Sequence, residues 1–387
     1  MLSPTISTAF PVPSDEAQRV SAQLAAHIRA EIARAGGFID FARYMELALY
    51  APGLGYYSAG SVKLGAAGDF TTAPEISTVF GRALATTLTA ELAVNDSRIV
   101  LELGAGSGAL AAQLLDELTS LGRYVDYWIL ETSADLRERQ QRALARFAPR
   151  VRWLERLPSR PFAGAVVANE VLDALPVSCF SKIGGAARAI GVANGAAGFE
   201  WAERGSAPDL AAAVARLEGC LGAPLADGYR SELCLALPSW LEAVAECVDR
   251  GSLLFVDYGL SRAEYYHAQR AGGTLVCHYR HRAHADPFLN PGLQDITAWV
   301  DFSAVADAAV AAGLTLAGFT TQAQYLIATL AAAPDRFAVD TASPREQSAL
   351  KTLLLPGEMG EKFKVMLLRK HVTGPPLAGR DFRARLA

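Results

Sequence analysis

The chain has 387 residues and a net charge of -4, with 51% hydrophobic and 20% charged residues, a globular balance for one large domain or two smaller ones. That charge gives no general attraction to nucleic acid or to an anionic membrane. The five cysteines, Cys179, Cys220, Cys234, Cys247 and Cys277, form no C-x-x-C pair, which speaks against a disulfide framework or a zinc ribbon.

The first 13 residues hold Pro4, Pro11 and Pro13 and no periodicity, so a loose arm is expected. No basic residue precedes Arg19, which argues against a secretory signal and an Arg-rich presequence. The expected location is the bacterial cytoplasm, ahead of a mature mitochondrial matrix form. Val20, Leu24, Ile28 and Ile32 recur at fourfold spacing and predict a helix over 15–35, stopped by Gly36-Gly37. "FIDFARYMELALY" predicts a second helix, ended by Pro52 and Gly53. "GLGYYSAGSVKLGAAGDF" is a glycine-rich, aromatic loop. "TTAPEISTVFGRALATTLTAEL" reads as one helix, with Thr72 and Glu75 at capping-box spacing and Pro74 in the first turn.

From Ile99 strand-like and helix-like runs alternate: 99–103, 108–121, 126–131, 134–147, 151–154 and 163–168. After an Ala- and Gly-rich insertion, about 178–236, come helix 239–249, strand 252–257, helix 303–313, a strand near 315–319 and a last strand in "EKFKVMLLRK". Such alternation predicts a mostly parallel sheet covered on both faces. No 18-residue apolar run lacks a charge or a breaker, so no membrane span is expected.

"VLELGAGSGAL", residues 100–110, is a strand entering a glycine turn and then a helix. Gly104, Gly106 and Gly108 let the backbone turn and approach a ligand closely. Glu131, 27 residues beyond Gly104, closes the next strand and suits the two hydroxyls of a ribose. Gly104, Gly106 and Ala109 also satisfy the dinucleotide pattern G-x-G-x-x-A. Glu102 tips the balance between the two. A buried anion there repels a pyrophosphate but welcomes the cationic amino-acid tail of S-adenosylmethionine.

Further on, "VVANEVLDALPV" places Asn169 and Glu170 at the tip of a strand beside the first one. Asn169 is expected to position the acceptor or the cofactor. Glu170 is expected to pair with a cationic substrate, a guanidinium above all. Its competing role is to cap a helix beginning near Val171. His278, His281 and His284 recur every three residues, but no second ligand cluster completes a metal site. A loop over the cofactor is expected there, with Asp295 and Asp301 flanking a short helix.

Six segments, "GGFIDFARYMELALYAPGLGYY", "GDFTTAPEIS", "LELGAGSG", "ANEVLDALPV", "DPFLNPGLQDITAWVDF" and "LLLPGEMGEKFKV", span roughly residues 35–370 in order. They resemble the MidA-like methyltransferases, a family that includes the mitochondrial complex I assembly arginine methyltransferase. The resemblance implies an α/β, class I S-adenosylmethionine-dependent methyltransferase fold with a Rossmann-like seven-stranded sheet ending in an antiparallel strand. It also implies an N-terminal helical cover (1–95), a cofactor domain (96–177 and 237–387) and an inserted substrate cover (178–236). Glu102, Gly104, Ala105, Gly106, Gly108 and Glu131 are the implied cofactor contacts, joined by Asp69, Thr72 and Pro74 from a closing segment. Glu170, then Asp295, are the carboxylates implied to act on the acceptor, beside Asn169. The implied partner is a protein substrate offering an arginine, such as a respiratory-complex subunit. Nucleic acid is not expected, and a homodimer is open to the chain. Two rival functions remain: a nicotinamide-dependent oxidoreductase, and an assembly chaperone that binds S-adenosylmethionine without turnover.

Overall fold

A computed structural model describes residues 10–58, 71–334, 336–337 and 343–387. Seven strands form its central sheet, in the spatial order Thr315–Thr321, Phe363–Lys370, Val248–Leu260, Phe162–Asn169, Ile99–Leu103, Asp126–Leu130 and Val151–Leu154. The two-residue strand Val300–Asp301 pairs with the end of Val248–Leu260. The pairs from Val248–Leu260 to Val151–Leu154 are parallel. Phe363–Lys370 runs antiparallel to both neighbours. This is the seven-stranded order with one reversed strand that the family resemblance implied.

Burial explains the strands. Val100, Leu101, Val166, Val167, Leu253 and Leu254 are all buried, as a sheet covered on both faces requires. Thr78–Asn95, Ala109–Ser120 and Gln322–Ala332 pack on one face around Phe80, Leu114 and Tyr325. Leu237–Glu246 and Phe302–Ala311 pack on the other, around Leu241 and Phe302. Each fully buried Leu or Phe contributes roughly 1.5–3 kcal/mol to this assembly.

The cover is built from separate stretches of sequence. Asp15–Arg34 buries Leu24, Ile28 and Ile32, the periodic residues seen in the sequence. Phe41–Tyr50 begins at Asp40, whose side chain accepts from Ala42 N. These helices share a core with Cys179 and Ile190 of the insertion and with Cys277 and Ile296 further on. Ile39–Asp40 even pairs with the inserted strand Ala186–Asn194. The insertion itself is antiparallel strands plus the helix Pro208–Leu221. Thr78–Asn95, by contrast, lies in the central core although it falls within the first 95 residues.

Three local expectations are corrected. The helix expected from Thr72 onward is two, Ala73–Ile76 and Thr78–Asn95, because extended Ser77 breaks the first and caps the second. The histidine stretch is a hairpin, Val276–Tyr279 with Arg282–His284, turned by Arg280 and His281 at positive φ. Asp295 does not flank a helix: it opens the buried strand Asp295–Thr297 in the same small sheet. Asp301 does cap, accepting from Ser303 N and Ala304 N at the start of Phe302–Ala311.

Candidate active site

The strand order reverses at Ile99–Leu103, which has Asp126–Leu130 on one side and Phe162–Asn169 on the other. Ligands of open parallel sheets bind beyond the strand ends at such a point. A cavity of about 380 Å³ lies there, within the range of small-molecule sites. Gly104 lines it, and Gly108 completes the glycine turn behind. Gly104 has φ +66 and little room beside Val171. Gly108, at φ +83, starts the helix Ala109–Ser120 in the left-handed conformation that a side chain resists.

Glu102 lies at this turn, buried, and accepts a 2.8 Å hydrogen bond from the Tyr127 hydroxyl. Burial pushes its carboxyl up to about 7, Tyr127 draws it down, and nearby Glu131 adds to the rise. Glu131 accepts from Ser133 N and from Gln140 Nε2, each at 2.9 Å. The same Gln140 amide donates to the Gly106 carbonyl at 2.9 Å, and its oxygen accepts from Trp153 Nε1 at 3.0 Å. Gln140 thus fastens the glycine loop to the carboxylate that ends the next strand. On the other wall, Thr72 N is capped by Glu75 at 3.3 Å, and the Pro74 carbonyl accepts from Gln113 Nε2 at 2.6 Å.

Asn169 and Glu170 stand across the cavity, because Ala168 pairs with Leu103 and Asn169 with Val256. Asn169 Nδ2 donates to Glu170 Oε1 at 3.0 Å, while Asn169 Oδ1 is buried without a partner among the described residues. Glu170 adopts φ +54, a left-handed conformation that costs a side-chain-bearing residue energy and is retained where the surroundings enforce it. Asp257 enforces it. Its Oδ2 accepts from Val171, Leu172 and Asp173 N at 3.1, 2.9 and 3.3 Å. The helix expected from Val171 therefore does not form, and Glu170 is not its cap. Burial raises the Glu170 carboxyl to about 8. Asp173 adds most among its charged neighbours, Asn169 opposes, and Asp295 and Glu75 add further.

Tyr50 and Tyr57 form the aromatic wall beside Glu170, stacked at 5.6 Å and 23°. The Tyr50 hydroxyl donates to the Ala174 carbonyl at 2.9 Å, and that of Tyr57 to Asp295 Oδ1 at 3.0 Å. Trp240 also lines the cavity.

The cavity thus gathers Glu102, Gly104, Ala105, Gly106, Glu131, Thr72, Pro74, Asn169 and Glu170. Gly108 stands behind the loop, and Asp295 stands behind Tyr57 without lining the space. Asp69 lies outside the described residues. The histidines of the hairpin are absent from its described lining. Among the described residues no group of three or more His, Cys, Asp or Glu could hold a metal ion, and no helix is long and apolar enough to cross a membrane. Sequence reasoning missed Gln140, Asp257, Asp173, Trp240 and the two tyrosines as site components. For the tyrosines the signal was the aromatic cluster around "LYAPGLGYY"; the others carry none without the sheet register.

Comparison with known proteins agrees with this geometry. Residues 79–320 match the family model described as S-adenosyl-L-methionine-dependent methyltransferase. A crystal structure from Burkholderia thailandensis, bound to S-adenosyl-homocysteine, is 43% identical. It aligns with a TM-score of 0.89 over 96% of this chain and 99% of that one. The Drosophila melanogaster mitochondrial protein named protein arginine methyltransferase NDUFAF7 homolog is 27% identical, with 95% of this chain and 91% of its own length covered. Its Caenorhabditis elegans namesake is 28% identical, covering 70% and 68%.

Proposed function

Because the chain belongs to the family of S-adenosyl-L-methionine-dependent methyltransferases, we propose that its methyl acceptor is the guanidinium of an arginine in a protein. The cofactor is S-adenosylmethionine, and the residues present fit it. The ionisable side chains lining the cavity among the described residues include three carboxylates, Glu102, Glu131 and Glu170, and no lysine, arginine or histidine. That lining suits cations and repels a pyrophosphate, so the nicotinamide reading is set aside. Glu102 is placed for the ammonium of the amino-acid tail, and Glu131 for the ribose hydroxyls. Once bound, the cofactor supplies a methyl group activated on a cationic sulfur.

The observation that carries the arginine reading is Glu170, a carboxyl of raised proton affinity beside Asn169 in a cavity with an aromatic wall. A guanidinium is a planar donor fork with no acceptor, which a carboxylate and an amide oxygen can orient. Tyr50 and Tyr57 offer aromatic surface to a flat cation. The nitrogen that gains the methyl must give up one proton, and Glu170 is positioned to take it. The names carried by the fly and worm relatives support the same acceptor.

Glu170→Gln keeps shape and removes charge. It is expected to hold S-adenosylmethionine within a few-fold of the parent affinity and to lose roughly 10²–10⁴ in labelled-methyl transfer. Unchanged turnover would remove Glu170 from the mechanism. Full biological rescue by this inactive variant would favour the chaperone reading instead.

A further inference from the structure

Asp173 lies three residues beyond Glu170, only 5% exposed, in the same tight turn. Its backbone N–H is one of the three held by Asp257, and its carbonyl accepts from Ala298 N at 3.0 Å. Its Oδ2 accepts from the Tyr258 hydroxyl at 2.5 Å. Its Oδ1 is buried and takes no well-formed hydrogen bond among the described residues, with the amides of Asp173 and Ala174 near enough to favour the charge of the carboxylate. The side chain is therefore fixed by its turn and by Tyr258, and it does not line the cavity.

The groups around it are acidic or phenolic. Glu170 acts on it from its own turn, Asp257 and Tyr258 from Val248–Leu260, Tyr50 from the helix Phe41–Tyr50, and Tyr57 from the loop after it, while Asp295 of the small sheet acts on Glu170 and the two tyrosines. None of these carries a positive charge. Two carboxyls of one tight turn, Asp173 buried and Glu170 lining the cavity, resist double ionisation. Asp173, with the hydroxyl of Tyr258 on it, is better suited to carry the charge. Glu170 is left to hold a proton until a cation arrives.

Resting on the assignment of Glu170 as proton acceptor, we propose that Asp173 is a positioning residue that, held by Tyr258, sets the proton affinity of Glu170 for the methyl-transfer step. Asp173 touches neither substrate nor cofactor, and it exchanges no atom in the reaction. In the step an N–C bond forms, the S–C bond breaks, and the guanidinium proton passes to Glu170. The ionised Asp173 makes that transfer more favourable.

The test is the pH profile of kcat/KM for methyl transfer, with the cofactor affinity measured alongside. Activity of the parent enzyme should rise with pH as Glu170 ionises. Asp173→Asn should move that acid limb down by about one pH unit, the size expected for a strongly interacting pair, and leave cofactor affinity within a few-fold. Tyr258→Phe keeps the ring contacts with Trp299 and Phe363 at 6.1 and 5.4 Å. It should move the limb the same way by less, since Asp173 then ionises less readily. It also stands as the second probe if Asp173→Asn fails to fold. A limb that stays put in the folded variant, with rate lost uniformly across pH, would overturn the role of Asp173. An active Glu170→Gln enzyme would instead overturn the assignment beneath it, so the two failures are distinguishable.

Discussion

The cavity has two ends, one proposed for the cofactor and one for the acceptor, and each surrounds its carboxylates differently. At the cofactor end Glu102 and Glu131 are matched with donors from the fold itself: Tyr127, Ser133 N and Gln140. At the acceptor end Glu170 stands among acids, with Asp173, Asp295 and Glu75 all raising its proton affinity. The first end is a preformed cradle on rigid strand termini. The second is an electrostatic deficit that a cation would relieve, and charge repulsion holds it in readiness. It is also assembled from distant chain segments. Tyr50 and Tyr57 come from the cover, and Asp295 comes from a strand some 240 residues later that meets Tyr57 through a hydrogen bond.

The cofactor end is the easier to break. Glu102→Gln should weaken S-adenosylmethionine roughly 10- to 150-fold, the value of the ~1.5–3 kcal/mol hydrogen bond to a charged group. Calorimetry would check it, and a loss under threefold would mean that the amino-acid tail binds elsewhere. The parent should also show a pH effect. The Glu102 carboxyl is raised to about 7 from 4.5, so in the free protein its contribution favours folding below about 4.5 and is lost as pH rises through about 7. Binding of a cation reverses that preference. Affinity for S-adenosylmethionine should therefore climb from pH 6 to pH 8, with proton release below 7, and Glu102→Gln should flatten the dependence.

Smaller effects sharpen the contrast. Gln140→Ala removes two donated hydrogen bonds from the loop and from Glu131, and should weaken the cofactor by about 1–2 kcal/mol. Acceptor KM should hardly move. Tyr57→Phe should do the reverse, raising acceptor KM several-fold, for ~1 kcal/mol of hydrogen bond, with cofactor affinity unchanged. If the two variants affected both ligands equally, the two ends would not be separate devices.

The same division governs what could be read beforehand. The glycine turn, Glu102 and Glu131 belong to contiguous strand–turn–helix units, where local pattern and site coincide. Glu170 was legible as the residue following a strand, yet its left-handed conformation was not, because it depends on Asp257 from a strand 85 residues away. Asp295 read as the flank of a short helix, since a short strand in a mixed polar stretch carries no period of its own. The histidine hairpin was read as a loop because two three- to four-residue strands give too few alternations to count. Ser77 interrupted a continuous helical pattern by serving as a cap in mid-run, where serine alone signals neither outcome.

The most direct measurement of the central claim is to incubate the protein with labelled S-adenosylmethionine and a bacterial lysate, then locate the transferred methyl by mass spectrometry. Methyl groups on arginine side chains, absent when Glu170→Gln replaces the parent, are the predicted result. Transfer confined to lysine, to nucleic acid or to small molecules, or transfer that persists in Glu170→Gln, would contradict it.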